Sequence, residues 1–511
     1  MLKKGIVILL ILSMLAALLS ACGSTSDPGT QADTETKSGE PGSKETDATE
    51  TDARLEAKFE VPDDLDYDSE FTILTCPGEN PTTDFFWVQF GEYSINGDIL
   101  NDAIYDRNKA LEEYLGITLV LNTSGHLTNT TAYENAVTAG DKDGTCDLGV
   151  WIDRFALNVA QKGMVLPFSE MEKNYVDLSK PWWYQSVNET LSIDHKLFFA
   201  AGYFNLDLFG SMQMLLVNRN IVEDKQLEDP YDLVDSRAWT MDIMYSMMLE
   251  AATDVDGDDA MTEEDVWGAV KNGSMWNNNY ISVSGEKFVA KDSQDIPYLN
   301  MEGNEHLLDI LSMLVEDLTA PEVTMEINKA KIYNKGHVYE NIVSMFADGH
   351  ALFAGTSATY MGNIRNSEVD YGIVPFPPYE AIGKNEEYKS YNIVVIAHIV
   401  PTTCQDPVRT SAVLEAMAYF SYTGVVPQFV ESVLQLRNVR DEKSGDIMRM
   451  LNRNMDIELG QAYWYDQIMA GTVSKIFGGG INTYASTLAE NKSKIEQAIE
   501  ASIKVFEELE G

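Results

Sequence analysis

The residues with the clearest capacity for chemistry form an acidic segment that runs from Asp254 to Asp265. Carboxylates stand at positions 1, 3, 5 and 12 of a twelve-residue loop, and position 7 offers a backbone carbonyl: Asp254, Asp256, Asp258, Asp265 and Ala260. Oxygen ligands at these spacings wrap a hard cation, so the segment predicts a structural calcium loop. An acidic loop that is solvated without a metal is the alternative interpretation of the same residues.

One departure from the usual calcium loop is Asp259, which stands at position 6, where glycine is common. That position needs a positive φ, which aspartate adopts more readily than most residues, at a cost of about 1 kcal/mol. The methionine-rich segment 241–248 predicts a helix before the loop, and residues 266–270 predict a strand after it. We therefore expect the loop to form and to clip a helix to a strand.

A second set of side chains could hold a small polar solute by stacking and hydrogen bonding. Trp276 and Asn278 place an aromatic ring beside a side-chain amide, a combination that suits sugar rings and hydroxyls. Thr356 and Ser357 stand at a predicted helix start, where free backbone N–H groups help to hold polar ligands. Four further candidates lie in loops or at strand ends: Asp84, Trp87, Trp151 and Tyr203. For each of these residues, core packing or a solvated loop is the alternative.

The elements that must position these side chains begin with alternating strands and helices. Residues 71–76, 117–121 and 147–151 form short apolar runs that predict strands, and 100–115 has helical spacing. Strand, helix and strand in this order predict a right-handed βαβ unit of the α/β class. Trp151 would end the third strand, where the carboxyl ends of parallel strands face a ligand crevice.

The beginning of the chain predicts export and lipid anchoring. Lys3 and Lys4 precede the apolar run 6–19, which is the order of a secretion signal of 21 residues. The segment from Leu19 to Cys22 resembles the bacterial lipoprotein box, in which the cysteine is acylated after cleavage. Residues 22–58 contain almost no large apolar side chains, so they predict a disordered tether. We expect the protein on the extracellular face of the cell membrane, held by the lipid alone.

Length and charge limit what the remaining residues can be. The 511 residues carry a net charge of −45, from 81 acidic and 36 basic side chains. Such a charge argues against binding to nucleic acid or to anionic lipid. The body after the tether is longer than one hydrophobic core usually supports, so we expect two lobes. Cys76, Cys146 and Cys404 have no metal-type spacing; a Cys76–Cys146 bridge and free buried thiols are both open, and we predict no disulfide.

Five stretches spread along the body carry a resemblance to a known family. They are the segments 97–108, 178–183, 230–240, 370–375 and 480–484. Together they resemble the extracellular solute-binding proteins of ABC transporters, in the family 1 group that includes sugar binders, and within it the clostridial-type lipoproteins. The resemblance implies the two-lobed periplasmic-binding-protein-like fold of type II, with discontinuous lobes and an interlobe cleft.

The resemblance also implies how the chain is divided and what it binds. We expect the first lobe to contain 59–165 and about 335–400, and the second about 166–334 and 401–511. The second lobe would then carry the calcium loop. The expected solute is a sugar or oligosaccharide, with a peptide as the main rival, and the expected partner is an ABC transporter permease in the membrane.

Two other classes of function remain as alternatives. The six histidines and the glycines form no HExxH motif, no nucleophile elbow and no phosphate-binding loop, so we expect no enzyme. A secreted glycoside hydrolase is the first alternative, because paired carboxylates cannot be recognised in so acidic a chain. A calcium-dependent adhesion lipoprotein is the second, because it too would use an anchor and a metal loop.

Overall fold

The computed structural model describes residues 58–75, 90, 94–126, 128–140, 144–365, 367–392, 394–429 and 439–508. The predicted signal, the lipidation site Cys22 and the tether up to residue 57 lie outside the described residues, as do the candidates Asp84 and Trp87. Among the described helices, none combines the length and apolarity needed to cross a bilayer.

The first part of the chain alternates strands and helices as the sequence predicts. Its elements are β1 Ser69–Leu74, α1 Ile99–Leu115, β2 Ile117–Asn122, α2 Thr131–Ala139, β3 Leu148–Ile152, α3 Asp153–Ala160, β4 Val165–Leu166, α4 Phe168–Glu172, α5 Gln185–Leu191 and α6 Leu206–Ser211. The three predicted strands correspond to β1, β2 and β3, and the predicted helix corresponds to α1. These predictions are confirmed within two residues at each end.

The ends of α1 show how local sequence sets an element. The Asp98 carboxylate accepts a hydrogen bond from the Asn101 N–H at 2.9 Å, which caps a free donor of the first turn. Gly116 has a φ of 64° and ends the helix in the left-handed conformation that glycine adopts without strain. Ile104 and Leu111 are fully buried, so one face of the helix covers the first sheet.

The middle part of the chain builds a second sheet. Its elements are β5 Gln213–Asn218, α7 Arg219–Lys225, α8 Pro230–Asp235, α9 Met241–Ala251, β6 Trp267–Lys271, α10 Gly273–Val283, β7 Val289–Lys291, β8 Pro297–Leu299, α11 Glu305–Met313, β9 Thr324–Glu326, α12 Val338–Ala347, β10 Ala351–Ser357, β11 Tyr371–Val374 and β12 Ser390–Asn392. The predicted helix and strand around the acidic loop correspond to α9 and β6 and are confirmed.

The last part is largely helical. Its elements are β13 Ile396–Pro401, α13 Pro407–Phe420, α14 Val426–Phe429, α15 Glu442–Arg453, β14 Met455–Ile457, α16 Leu459–Trp464, α17 Ser474–Gly479 and α18 Tyr484–Glu507. Short π-helical turns continue three of the helices: Leu314–Leu318, Ser421–Val425 and Asp466–Val473. Short 3₁₀ segments follow strands or precede α18: Ile327–Lys329, Ala358–Ile364 and Ile481–Thr483.

The two sheets have the same strand topology. The first has the strand order β2-β1-β3-β13-β4, and the second has the order β9-β6-β10-β5-β11. In the first sheet β1 runs parallel to β2 and β3, whereas β13 runs antiparallel to β3 and β4. In the second, β6 runs parallel to β9 and β10, whereas β5 runs antiparallel to β10 and β11. Each sheet therefore receives one antiparallel strand from a chain segment that arrives from the other sheet.

Two of the described segments carry the chain between the sheets. The first runs through α6 into β5, and the second runs from β12 into β13. They lie side by side, because the Ser390 hydroxyl accepts the Gln213 N–H at 3.0 Å and donates to its carbonyl at 3.0 Å. Neither sheet is therefore built from one continuous stretch of sequence, which agrees with the discontinuous lobes that we expected.

The expected lobe boundaries are wrong in three places. Strands β10 and β11 were expected in the first lobe, and both pair within the second sheet. Helix α13 and the turn at Trp182 and Trp183 were expected in the second lobe, but α13 packs on α1 of the first lobe and the turn bonds to α13. The residue pattern of a strand does not indicate which sheet the strand joins, because strand pairing depends on contacts between residues that lie far apart in sequence.

A buried carboxylate explains why α13 and the segment around residue 180 belong together. Trp182 and Trp183 are buried, and their indole N–H groups donate to the two carboxylate oxygens of Glu415 at 2.8 and 3.0 Å. A third donor is the backbone N–H of Asp177, at 3.2 Å. Glu415 is 2 % exposed, and burial raises the pKa of its carboxyl to about 7. These bonds join α13 to the turn that contains both tryptophans.

We expect Glu415 to make folding stability depend on pH. Its pKa in the folded protein lies above the ordinary value of 4.5, so the folded state holds the proton more tightly than the unfolded state. This contribution is present below pH 4.5 and is lost as the pH rises through about 7. Urea unfolding from pH 4.5 to pH 8 measures it. Glu415→Gln should reduce the pH dependence of the free energy of unfolding by one proton. An identical pH dependence in the variant would contradict the raised pKa of Glu415.

Candidate functional site

The strand directions determine which edges of the two sheets face one another. The carboxyl ends of β1, β2 and β3 share an edge of the first sheet, and β13 begins at that edge because Ile396 pairs with Ile152. In the second sheet, β6, β9 and β10 end at one edge, and β5 begins there because Gln213 pairs with Ser357. The crossing segments connect these two edges directly. The carboxyl edges of both sheets therefore border one cleft, which is where ligands of open α/β sheets bind.

Polar side chains line the edge of the second sheet. Lys271 ends β6, and its ammonium lies 3.3 Å from the carboxylate of Glu326 at the end of β9. Both oxygens of Glu326 also accept the N–H of Gly273, at 3.1 and 2.9 Å, which caps the first turn of α10. Burial lowers the pKa of Lys271, and the adjacent carboxylate opposes that effect. The pair fixes the ends of two neighbouring strands at the cleft.

Three rings stack beside this edge. The ring of Tyr360 lies parallel to that of His337, with centroids 5.1 Å apart, and it stacks on Tyr339 at 5.2 Å. The Tyr339 hydroxyl donates to the side-chain oxygen of Gln213 at 3.2 Å. His337 and Tyr360 are each half-buried, so part of the stack faces solvent. Sequence reasoning missed this set, although His337 directly precedes α12 and Tyr360 lies in the 3₁₀ turn that follows β10, which are cleft positions in an α/β unit.

The predicted candidate Tyr203 lies beside the crossing segments in a cluster of aromatic rings. It stacks on Tyr184 with centroids 4.5 Å apart, and it meets the ring of Tyr422 edge-on at 5.0 Å. Phe209, on α6, packs against it at 6.0 Å. Tyr203 is half-buried, so its ring keeps an accessible portion near the junction of the lobes.

The predicted candidate Trp151 is fully buried in the first lobe. Its ring meets Tyr133 edge-on at 5.2 Å, and its indole N–H donates to the carbonyl of Asn129 at 3.3 Å. The loop after β2 packs against it, since a Cβ added at Gly125 would lie 3.5 Å from the Trp151 ring. In this conformation Trp151 has no ring face available for a solute, and its expected role stays a prediction.

Trp276 and Asn278 lie on α10, inside the second lobe. Trp276 is 3 % exposed and packs edge-on against Tyr280 and Phe376, with centroids 5.4 Å away in each case. The Asn278 amide nitrogen reaches the side-chain oxygen of Gln461 at 3.4 Å. The indole N–H of Trp276 and the amide oxygen of Asn278 have no hydrogen-bond partner among the described residues. Their roles in solute binding stay predictions.

Thr356 and Ser357 are the last residues of β10, and the helical turn begins after them at Ala358. Ser357 is the N-cap of this turn, so the expected helix start is confirmed within two residues, although both side chains also belong to the end of the strand. Both residues are buried, at 0 % and 4 % exposure. Ser357 pairs with Gln213 at the cleft edge, so this residue belongs to the rim that also holds the stacked rings.

The acidic loop lies away from this cleft, between α9 and β6. One carboxylate oxygen each from Asp254, Asp256 and Asp265 lies within 4.8 Å of the others. Thr253 and Val266 pair as an antiparallel bridge that closes the loop at its base. Asp259 has a φ of 64°, as the position-6 requirement predicts. The loop therefore has the backbone turn and three of the oxygen ligands of a cation site close together.

The remaining predicted ligands stand near this cluster. The Asp258 carboxylate accepts the N–H of Ala260 at 2.9 Å, and the carbonyl of Ala260 was the expected ligand at position 7. The backbone N–H of Val255 is the main reason that the pKa of Asp265 is lowered. For Asp256, the N–H of Asp258 lowers the pKa, but desolvation and the neighbouring carboxylates outweigh it and raise the pKa overall. Repulsion among these carboxylates is what a bound cation would relieve.

Comparison with known proteins identifies the fold. No family model matches the chain, and no curated protein matches it. The sugar-binding protein MalE from Xanthomonas citri superposes with a TM-score of 0.56 at 12% identity, covering 86% of this chain and 100% of that chain. A sugar transporter from Rhizobium etli, in an open conformation, gives 0.54 at 11% identity with the same coverage. The chain thus has the two-lobed, type II periplasmic-binding-protein-like fold of MalE-type proteins.

Proposed function

We propose that this protein captures a sugar or oligosaccharide in the cleft between its lobes and delivers it to an ABC transporter permease. The observation that carries the proposal is the cleft itself. It is bordered by the carboxyl edges of two sheets that have the same strand topology. The two structural neighbours support the class of solute, because one is described as a sugar transporter and the other as a sugar-binding protein.

The chemistry of the cleft rim suits a neutral, hydroxyl-rich solute. The stack of His337, Tyr360 and Tyr339 offers a flat aromatic surface, and sugar rings pack on such surfaces through their C–H faces. The Lys271–Glu326 pair supplies donors and acceptors at the same sheet edge. The net charge of −45 disfavours a polyanionic solute. We propose capture without turnover, so the protein is not an enzyme.

The proposed lipid anchor would hold the solute-binding body close to the membrane. In this proposal Cys22 carries the lipid and residues 22–58 form the tether, on the extracellular face of the cell membrane. A flexible chain of that length spans roughly 30–36 Å on average, which lets the body search for solute and reach the permease. A captured solute then stays near the membrane protein that imports it. We also propose that the acidic loop 254–265 binds calcium as a structural ion.

A thermal-shift screen tests the proposed solute class. The soluble body, residues 59–511, is melted with a panel of monosaccharides, oligosaccharides and peptides. We expect one or more saccharides to raise the melting temperature, because a ligand that binds only the folded state stabilises it. A rise with peptides alone would replace the sugar proposal with its rival, and release of product from a glycoside would replace it with the hydrolase.

We expect Tyr360→Ala to weaken the binding of the saccharide found in that screen by about tenfold or more. The half-buried ring packs against both His337 and Tyr339, and loss of one aromatic anchor at a binding site commonly costs over 1 kcal/mol. Titration calorimetry measures the change. Tyr298→Ala is the matched control, because Tyr298 is 47% exposed on β8 and contributes nothing to the cleft rim. Equal affinity in both variants would remove Tyr360 from the site.

A further inference from the structure

Two buried carboxyl groups hold the second crossing segment where it enters the first sheet. Asp153 accepts the N–H of Val395 at 3.1 Å, and Asp207 accepts the N–H of Ile396 at 3.0 Å. Asp153 is 2 % exposed and Asp207 is fully buried. Consecutive peptide groups of one crossing segment are thus bound by α3, which belongs to the first lobe, and by α6, which belongs to the other crossing segment.

Further hydrogen bonds complete this arrangement. The backbone N–H of Asp153 donates to the carbonyl of Val395 at 3.0 Å. The amide of Asn205 donates to the carbonyl of Ile396 at 2.7 Å and to the Asp207 carboxylate at 3.3 Å. We name these groups the hinge clasp: Asp153, Asn205, Asp207, Val395 and Ile396. A movement of one lobe relative to the other must be absorbed by the crossing segments, so the clasp lies where hinge rotation is decided.

Burial favours the protonated form of both carboxyl groups of the clasp. Burial raises the pKa of Asp153 to about 7, and the pKa of Asp207 also to about 7. The neighbouring Arg154 guanidinium lowers the pKa of Asp153, whereas Asp207 raises it. Two phenols that face Asp153 are Tyr391 from β12 and Tyr463 from α16. Burial raises the pKa of both phenols, so they remain neutral and supply no compensating charge.

The raised pKa values determine in which direction pH shifts the clasp between its closed and loosened forms. Both carboxyl groups hold their protons more tightly in this arrangement than the ordinary pKa of 3.8 would allow. A conformation in which water reaches them lowers the pKa toward that ordinary value. Release of protons therefore favours the hydrated, loosened crossing, and uptake favours the clasp as it stands. The change falls between pH 4 and pH 7, roughly, with little further effect above that range.

We propose that Asp153 and Asp207 are positioning residues through which proton uptake closes the hinge clasp and proton release loosens it. The proposal rests on the proposed function, because a protein that captures solute between two lobes works by moving them. Its consequence is that lobe movement becomes less frequent as the surroundings turn acidic, without any change in the residues that touch the solute.

Amide hydrogen exchange tests this proposal on the unliganded soluble body. The measured quantity is the protection of peptides covering residues 394–400 between pH 5 and pH 7.5, after correction for the intrinsic exchange rate. We expect the opening constant to rise with pH, by up to about tenfold per pH unit for each ionising carboxyl. Peptides from β1, inside the first sheet, report global unfolding and serve as the internal reference.

Three variants sharpen the test. Asp153→Asn and Asp207→Asn should each flatten the rise, because an amide accepts the same N–H groups and does not ionise. Glu415→Gln is the matched control, since Glu415 is another buried carboxyl with a pKa of about 7 but lies outside the hinge clasp. It should leave the profile of residues 394–400 unchanged.

The outcomes separate clearly. A flat profile in the unmodified protein overturns the proposal, and this result needs no variant to fold. An unchanged rise in both aspartate variants overturns it as well. Because the measurement uses no solute, the pH profile can be present in a protein that fails the saccharide screen, and it can be absent in one that passes. Failure of this proposal is therefore distinct from failure of the proposed function.

Discussion

Calcium is expected to raise the melting temperature of the soluble body by several degrees, and Asp254→Ala combined with Asp258→Ala is expected to abolish that rise. Binding to the folded state alone stabilises it by about 4 kcal/mol when the free ion exceeds its dissociation constant a thousandfold. The carboxylate oxygens of Asp254, Asp256 and Asp265 already lie within 4.8 Å of one another. The ion would remove their mutual repulsion and tie α9 to β6.

The comparison must use the calcium-dependent difference rather than the absolute melting temperature. The Asp254 carboxylate also accepts the N–H groups of Gly257 and Asp259 at 2.7 and 2.8 Å, so its loss weakens the loop without any metal. Asp292→Ala is the matched control, because Asp292 accepts two backbone N–H groups in the turn between β7 and β8. It should lower the baseline and preserve the calcium response. Identical melting curves with calcium and with chelator would contradict the metal site.

Trp276→Ala is expected to lower the free energy of unfolding by about 3–5 kcal/mol, the usual cost of truncating a large aromatic side chain in a packed core. The ring is 3 % exposed and fills the space between Tyr280, Phe376 and the backbone of Gly355. Urea unfolding at constant pH measures the change. A loss below 1 kcal/mol would show that this part of the second lobe is loosely packed.

Trp276→Phe separates packing from any role in solute binding. It retains most of the aromatic contact and removes the indole N–H, which has no hydrogen-bond partner among the described residues. If that N–H serves the solute, affinity for the saccharide falls while stability is largely retained. Unaltered affinity in this variant would assign Trp276 to the core alone.

Local patterns predicted much of the fold because their causes are local. The strands β1, β2 and β3 were recognised from short apolar runs, and α1 from its spacing and from Gly116 at its end. The left-handed backbone of Asp259 was likewise expected from its place in the acidic loop. In each case the residue type and its immediate neighbours decide the conformation.

The lobe boundaries and the cleft rim depend on contacts that sequence spacing does not contain. Strand β10 joins the second sheet because β5 and β6 flank it there, although its own residues fit either sheet. Tyr360 and His337 are 23 positions apart, and only the turn after β10 and the start of α12 bring their rings together. Trp151 was expected at the crevice from its strand end, and its spacing gives no sign of the loop around Gly125 that packs against its ring.

The central claim is that the two lobes close on a saccharide, and small-angle X-ray scattering tests it most directly. The soluble body is measured alone and with the saccharide that gives the largest thermal shift, at a concentration that saturates the site. Capture in the cleft predicts a smaller radius of gyration with the saccharide, while the saccharide itself is recovered intact. An unchanged radius of gyration at saturation would contradict closure around a solute, and with it the proposed function.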